Sequence, residues 1–266
     1  MSTSHIQDLI FRMMTVDLLR IAKERFTYRE LSQMVGLQIT VLSRYVKGHV
    51  LPSTERAKSI WKTLNPIVGL EKELLETVKF DEDGYFDNTK IIGDSSLLHL
   101  ASQDALAKFA GRRVTKVLTA AVDGIPLATM IAQAMGVNLV IAKSTKEIGV
   151  KEFIEETYVP SNTGMIVTLY IPKDSIKKTD SVLIVDDVVR TGETQRALIN
   201  LVQKCKAEVT GIYTLVAIGD EFERRLNLPP RCKFEAVIRI VPERIKPVEY
   251  RRSRAFVNST AIQSPV

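Results

Sequence analysis

The chain is poor in the residues that metal centres and redox chemistry use. Its 266 residues include two cysteines, Cys205 and Cys232, and three histidines, His5, His49 and His99. Two thiols that far apart make neither a disulfide scaffold nor a zinc cluster, and the imidazoles show no ligand spacing. No metal site is therefore expected from the protein's side chains alone. No apolar run approaches the ~18 residues of a membrane span, so no membrane partner is expected. The first residues, Met1-Ser2-Thr3-Ser4-His5, put no basic patch ahead of an apolar core. No signal peptide is expected, and a reducing cytoplasm is the expected compartment. Internal repeats and low-complexity tracts are also missing.

What remains is an ordinary globular composition, 45% hydrophobic and 26% charged, enough for a real core. The length exceeds one typical domain, and two are expected. Net charge is +6 and it is not spread evenly. Residues 1–62 hold ten Lys/Arg against five Asp/Glu. A second basic group, Arg244, Lys246, Arg251, Arg252 and Arg254, faces only Glu243 and Glu249 within 242–254. Basic ends suggest contact with a polyanion.

Taken in order, His5 to Phe26 has helical apolar spacing over more than one face, which implies burial against a partner. Thr27 followed by Glu30 is a capping box opening a second helix. Gly36 supplies the left-handed residue that ends it, and a third helix begins after Leu37. This is the helix-turn-helix plan, with Ser32 where the two helices cross and Leu31, Val35, Leu37 and Leu42 in the shared core. The third helix then presents Gln38, Thr40, Ser43, Arg44 and Lys47, residue types that reach base edges and phosphates in a major groove of duplex DNA. Residues 53–79 read as two helices broken at Asn65-Pro66. A polar turn, Asp81-Glu82-Asp83-Gly84, marks the expected boundary. The expected units are 1–80, a helix-turn-helix domain; 85–241, a ligand-binding domain; and 242–266, a basic tail.

From Tyr85 onward helices and strands alternate with short links: a helix over 97–109, strands over 114–121 and 137–142 with a helix at 126–135 between them, strands over 165–171 and 182–185, a helix over 194–205 and a strand over 209–218. Such alternation implies an α/β fold with a mainly parallel sheet. Its centre is Val182-Leu183-Ile184-Val185, three of four β-branched, which suits a strand buried on both faces. Two carboxylates follow, Asp186 and Asp187, then Val188, Val189, Arg190, Thr191, Gly192, Glu193 and Thr194, and a helix. A strand that turns tightly into a helix N-terminus offers amides and a dipole to a phosphate. Gly192 allows close approach, and Thr191 and Thr194 add hydroxyls.

This pattern resembles the ribose-phosphate signature of the type I phosphoribosyltransferases. Arg190 stands where that signature usually carries something small. The resemblance implies that the acidic pair holds the ribose hydroxyls of phosphoribosyl pyrophosphate (PRPP), with Mg²⁺, and that the turn grips the 5′-phosphate. It also implies a pyrophosphate loop at Val122, Asp123 and Gly124, and a mobile flap over 144–163 with basic residues at its edge. Lys143 and Lys146 are present there. Ala142 or Ser144 takes a place where a second basic residue is common, which argues against efficient catalysis.

The stretches from Thr163 to Lys178 and from Ile218 to Leu226 look like the xanthine phosphoribosyltransferase and bacterial purine repressor branch. In that branch the position of Phe222 lies over the purine. The expected function is thus a dimeric, DNA-binding regulator of purine metabolism that senses PRPP or a purine nucleotide. Alternatives are an active purine-type phosphoribosyltransferase and a sugar-phosphate binding module with no role on DNA.

Overall fold

A computed structural model describes residues 5–81, 86–161 and 164–241 of the chain. The expected basic tail lies outside them, as do Glu82, Asp83 and Gly84 of the expected boundary. Five helices come first: α1 His5–Arg25, α2 Tyr28–Val35, α3 Ile39–Val46, α4 Thr54–Val68 and α5 Leu70–Thr77. After them come α6 Thr89–Ile92 and α7 Ser95–Lys108, and then β1 Lys116–Ala120, α8 Ile125–Met135 and β2 Asn138–Ala142. A hairpin of β3 Phe153–Tyr158 and β4 Val167–Pro172 precedes β5 Ser181–Val189, α9 Glu193–Lys204, β6 Glu208–Ile218, α10 Glu221–Leu226 and β7 Lys233–Ile240.

The large sheet has the order β2-β1-β5-β6-β7, and each of its pairings is parallel. β3 and β4 pair antiparallel apart from it. They are joined to the end of β2 by backbone bonds exchanged between Lys143 and Tyr170, at 3.0 and 2.8 Å.

Period-two alternation explains the aliphatic run of β5. Leu183 and Val185 belong to one core cluster, with α7, α8 and the N-terminal helices. Val182 and Ile184 belong to the other, with α9, β3 and β4. Both faces are covered, so no polar alternation survives. The first cluster also runs without a break from Leu18 and Leu19 of α1, through Leu97 and Leu100 of α7, to Tyr213 of β6. The N-terminal helices therefore rest on the sheet's own helical layer.

The turn between α2 and α3 is built as its residues dictate. Thr27 accepts the Glu30 amide through its side chain, Glu30 returns a bond to the Thr27 amide at 2.7 Å, and Gly36 has φ +67°. Ser32 Oγ donates to the Leu37 carbonyl at 2.6 Å, tying the turn across its mouth. Leu31 and Leu42 are fully buried. Arg20 of α1 donates to the carbonyl of Val46 at 3.1 Å, a cation on the end of α3 where both the orphan acceptor and the dipole favour it.

Three expectations need correction. Pro66 does not break the helix: α4 continues through it to Val68. The ring removes one bond near the last turn, while Leu64 and Val68, both fully buried, hold the segment in place. Within 144–163, where the alternation predicts no strand, lies β3. β5 does not stop at the carboxylates but pairs with β6 as far as Val189↔Ala217.

Candidate functional site

β1 leaves β5 early. Their last paired residues are Leu118 and Ile184, so Asp186 and Asp187 lie on β5 beyond β1's cover, with only β6 still alongside. The gap is a cavity of about 360 Å³ lined by Ala120–Gly124, Asp186, Asp187, Val188 and Thr194. Adjacent strand residues project to opposite faces, and the two carboxylates are indeed held from opposite sides. Gln195 of α9 donates to Asp186, and Asn88, just before α6, donates to Asp187. The Asp187 amide also donates to Asp186 Oδ1 at 3.1 Å. Burial, reinforced by the neighbouring charge of Asp187, pushes the Asp186 carboxyl well above its ordinary range.

The facing loop is shaped by the same crowding. Ala121, Val122 and Asp123 are exposed, whereas Gly124 is buried at the start of α8. A Cβ there would stand 2.4 Å from Thr119 Oγ1. Only a glycine brings this backbone against Asp186 and Thr119. Gly192 is left-handed at φ +78° and closes over Phe222 and Leu226 of α10.

Glu193 organises the turn's outer side. Its carboxylate accepts from the Ser161 amide at 3.0 Å, from Thr191 Oγ1 at 3.0 Å and from the Ser161 hydroxyl, and it pairs with Arg225 at 3.5 Å. Burial alone would raise its pKa, but the Ser161 and Thr191 hydrogen bonds and Arg225 outweigh that and hold it below the usual value. Tyr158, the last residue of β3, meets Thr194 through their hydroxyls at 3.1 Å. The hairpin is thus fastened to the strand-helix turn at two points.

Of the expected sugar-phosphate residues, Asp186, Asp187, Val188 and Thr194 line the cavity, whereas Val189 ends β5, Arg190, Thr191 and Gly192 form the turn, and Glu193 opens α9. Val122, Asp123 and Gly124 line it as well. Lys143 and Lys146 do not: they pair with Glu147 at 2.8 Å and Glu155 at 3.1 Å. Phe222 also departs from expectation. Its ring is fully buried beside Phe234, with centroids 5.1 Å apart, so it packs α10 and offers no face to a base. The apolar spacing of a short helix gave the same signal either way. Gln195 and Asn88 were missed. Gln195 could have been found by its place beside the signature; Asn88 lies 99 residues from its partner and carries no local mark.

On the second candidate surface, Gln38, Thr40, Arg44 and Lys47 are exposed and Ser43 is half-buried. Three arginines in the basic count are engaged within the fold. Arg12 pairs with Asp8, Arg20 with Asp17, and Arg25 with Glu73 and Glu76. Among the described residues no helix is long and apolar enough to cross a membrane, and no group of three or more His, Cys, Asp and Glu could hold a metal.

A parallel sheet carrying an acid pair and a Thr-Gly-Glu-Thr turn at the carboxyl end of its central strand, with a hairpin fastened to that turn, is the architecture of a phosphoribosyltransferase. The chain belongs to the phosphoribosyl transferase domain family, whose pattern matches residues 96–246. It is 34% identical over 144 residues to the purine biosynthesis transcriptional repressor PurR of Bacillus subtilis, covering 54% of this chain and 50% of that protein. It is 30% identical over 133 residues to the xanthine phosphoribosyltransferase of Lactococcus lactis subsp. cremoris, covering 50% and 68%. The chain thus spans about half the length of the purine regulators it matches. Among solved structures, adenine phosphoribosyltransferase from Rhodothermus marinus superposes with a TM-score of 0.56 at 26% identity, over 64% of this chain and 98% of that one.

Proposed function

We propose that the protein is a DNA-binding transcriptional regulator of purine metabolism that senses PRPP or a purine nucleotide through its phosphoribosyltransferase domain. The observation that carries this reading is the joining of two surfaces on one core. An acid pair beside a glycine turn faces a cavity, and the helix layer beneath it supports a helix pair presenting Arg44 and Lys47. The likeness to purine repressors supports it further.

In the proposal the ribose hydroxyls donate to Asp186 and Asp187, and the 5′-phosphate rests on the amides and hydroxyls of the 190–194 turn. Val122, Asp123 and Gly124 face the pyrophosphate. Mg²⁺ is held by one or two carboxylates and the ligand's own phosphates, which suits a site with two acids and no all-protein cage. Two copies of the chain present their α3 helices to successive major grooves of duplex DNA, about one helical turn apart. A ligand changes DNA affinity only by its differential affinity for the two states.

The second reading, an active phosphoribosyltransferase, draws on the xanthine-specific relatives. The pairing of Lys143 with Glu147 and of Lys146 with Glu155 speaks against it, because neither lysine lines the cavity that would hold the pyrophosphate. Titrating the protein's own promoter DNA over a range of salt concentrations, with and without PRPP and Mg²⁺, separates the readings. The regulator gives a steep log-log salt dependence and a midpoint that shifts with PRPP. Absence of binding removes it, and rapid pyrophosphate release with a nucleobase and PRPP favours the enzyme.

A further inference from the structure

We propose that Asn88 is a ligand-reading residue: its Oδ1 accepts a hydrogen bond from a hydroxyl of the bound sugar and thereby pins α6 where it meets the site. The proposal rests on the reading of Asp186 and Asp187 as a ribose cradle.

The amide of Asn88 is half used. Its Nδ2 donates to Asp187 Oδ2, while its Oδ1 is buried with no hydrogen-bond partner among the described residues. The orientation is fixed, because the end facing a carboxylate oxygen must be the donor end. A buried acceptor left without a donor is costly, and the two ends of one amide lie side by side. The orphan oxygen therefore sits next to the carboxylate that a sugar would engage. A vicinal diol brings two protons to the acid pair, and the one given to Asp187 is shared with Asn88 Oδ1. A 2-deoxy sugar brings one, and leaves the orphan unsatisfied.

Asn88 is also the residue that starts α6. Its carbonyl accepts the amides of Ile91 at 2.9 Å and Ile92 at 3.1 Å. Ile91 is fully buried in the same cluster as Leu18 and Leu19 of α1 and Leu97 and Leu100 of α7. A hydroxyl that pins the Asn88 side chain pins the first turn of α6, and α6 packs on α5 and α7. Ligand occupancy is thus transmitted to the layer on which the helix pair stands, without passing through the flap.

The test follows amide exchange and sugar preference together, in the full-length wild type and in Asn88→Ala. With saturating PRPP and Mg²⁺, the Ile91 and Ile92 amides of the wild type exchange at least tenfold more slowly. The wild type prefers ribose 5-phosphate to 2-deoxyribose 5-phosphate by about tenfold more than Asn88→Ala does, over and above any loss the variant shows toward both sugars from leaving Asp187 without its donor. A purely structural role for Asn88 would lower both affinities equally. PRPP that binds the wild type yet leaves both amides unchanged overturns the proposal, and so does an equal sugar preference in the two proteins. If Asn88→Ala fails to fold by circular dichroism, the wild type decides alone: no ribose preference sinks the idea. If PRPP binds neither protein, the ribose cradle itself has failed and the role of Asn88 falls with it.

Discussion

Gly124 lies so close to Asp186 that a Cβ on it would stand 2.9 Å from the carboxylate Oδ1. Its φ is −71°, so the conformation is open to any residue and the demand is purely steric. Gly124→Ala must push Asp186 and Thr119 aside. We expect a loss of about 1–3 kcal/mol in stability, the usual result of overpacking, and a PRPP affinity at least tenfold lower. Gly136→Ala is the control. It has nothing within 4 Å but a φ of +66°, so it costs about 1–2 kcal/mol from backbone alone. Its PRPP affinity stays unchanged. Thermal denaturation and calorimetry on the two variants test the contrast.

Asp186 makes ligand binding pH-dependent. Its folded pKa is raised above the ordinary 3.8, by burial first and by Asp187 second. An acid raised on folding contributes no penalty below its unfolded value. It destabilises progressively as pH climbs from the unfolded value towards the folded one, because the unfolded carboxyl then ionises while the buried one keeps its proton. Asp186→Asn should therefore stabilise the free protein at neutral pH, and that gain should vanish as the pH falls below about 3.8. Sugar hydroxyls and a bound cation both favour the ionised form, so PRPP binding should release a proton and tighten as pH rises. Calorimetry in buffers of different ionisation heat measures that proton directly. Uptake, or no exchange of a proton, would contradict it.

The same residues show how far the chain could be read before its fold was known. The β5 run, the acid pair and the glycine turn are contiguous, so local chemistry marked them. Thr27, Glu30 and Gly36 did the same for α2 and α3. The extent of β5 was not legible, since Asp residues are poor strand formers and only β6 alongside keeps them extended. β3 was hidden for a similar reason: Phe153 to Tyr158 contains Glu155 and Glu156, and its apolar side is defined by α9, not by its own pattern. Lys143 and Lys146 looked like site residues because a sequence shows charge but not partners. Their neighbours Glu147 and Glu155 engage them.

Glu193 fastens the hairpin to the strand-helix turn, and its charge stands at the N-terminus of α9. Its folded pKa is lowered from 4.5, so the stability it adds is present above that value and is lost as pH falls through the folded one. Glu193→Ala should cost about 1 kcal/mol near neutral pH, in line with a partly exposed charged hydrogen bond. It should also speed proteolytic cleavage at 159–161. Glu193→Gln keeps the size but removes the charge beside Thr191. PRPP should then bind severalfold more tightly, since its 5′-phosphate no longer meets a carboxylate at the turn. Weaker binding by that variant would show the charge to be needed for more than holding the hairpin.

The helix pair makes the last prediction, which separates its architecture from its surface. Ser32 and Arg44 lie on the same two-helix unit but do different things. Ser32 Oγ reaches the Leu37 carbonyl across the turn, so Ser32→Ala leaves a turn acceptor unpaired and should lower stability by about 1 kcal/mol. Arg44 is exposed on α3 and its side chain has no hydrogen bond or ion pair among the described residues, so Arg44→Ala should leave stability within about 0.5 kcal/mol of wild type. On DNA the order reverses. Arg44→Ala should weaken binding and, if the guanidinium meets a phosphate, reduce the log-log salt slope by about one. Ser32→Ala should keep the slope and lose affinity only as far as the folded population falls. PRPP affinity should be the same in both. Equal salt slopes for Arg44→Ala and wild type would place the phosphate contacts elsewhere on the protein, and would withdraw α3 as the element that lies in the groove.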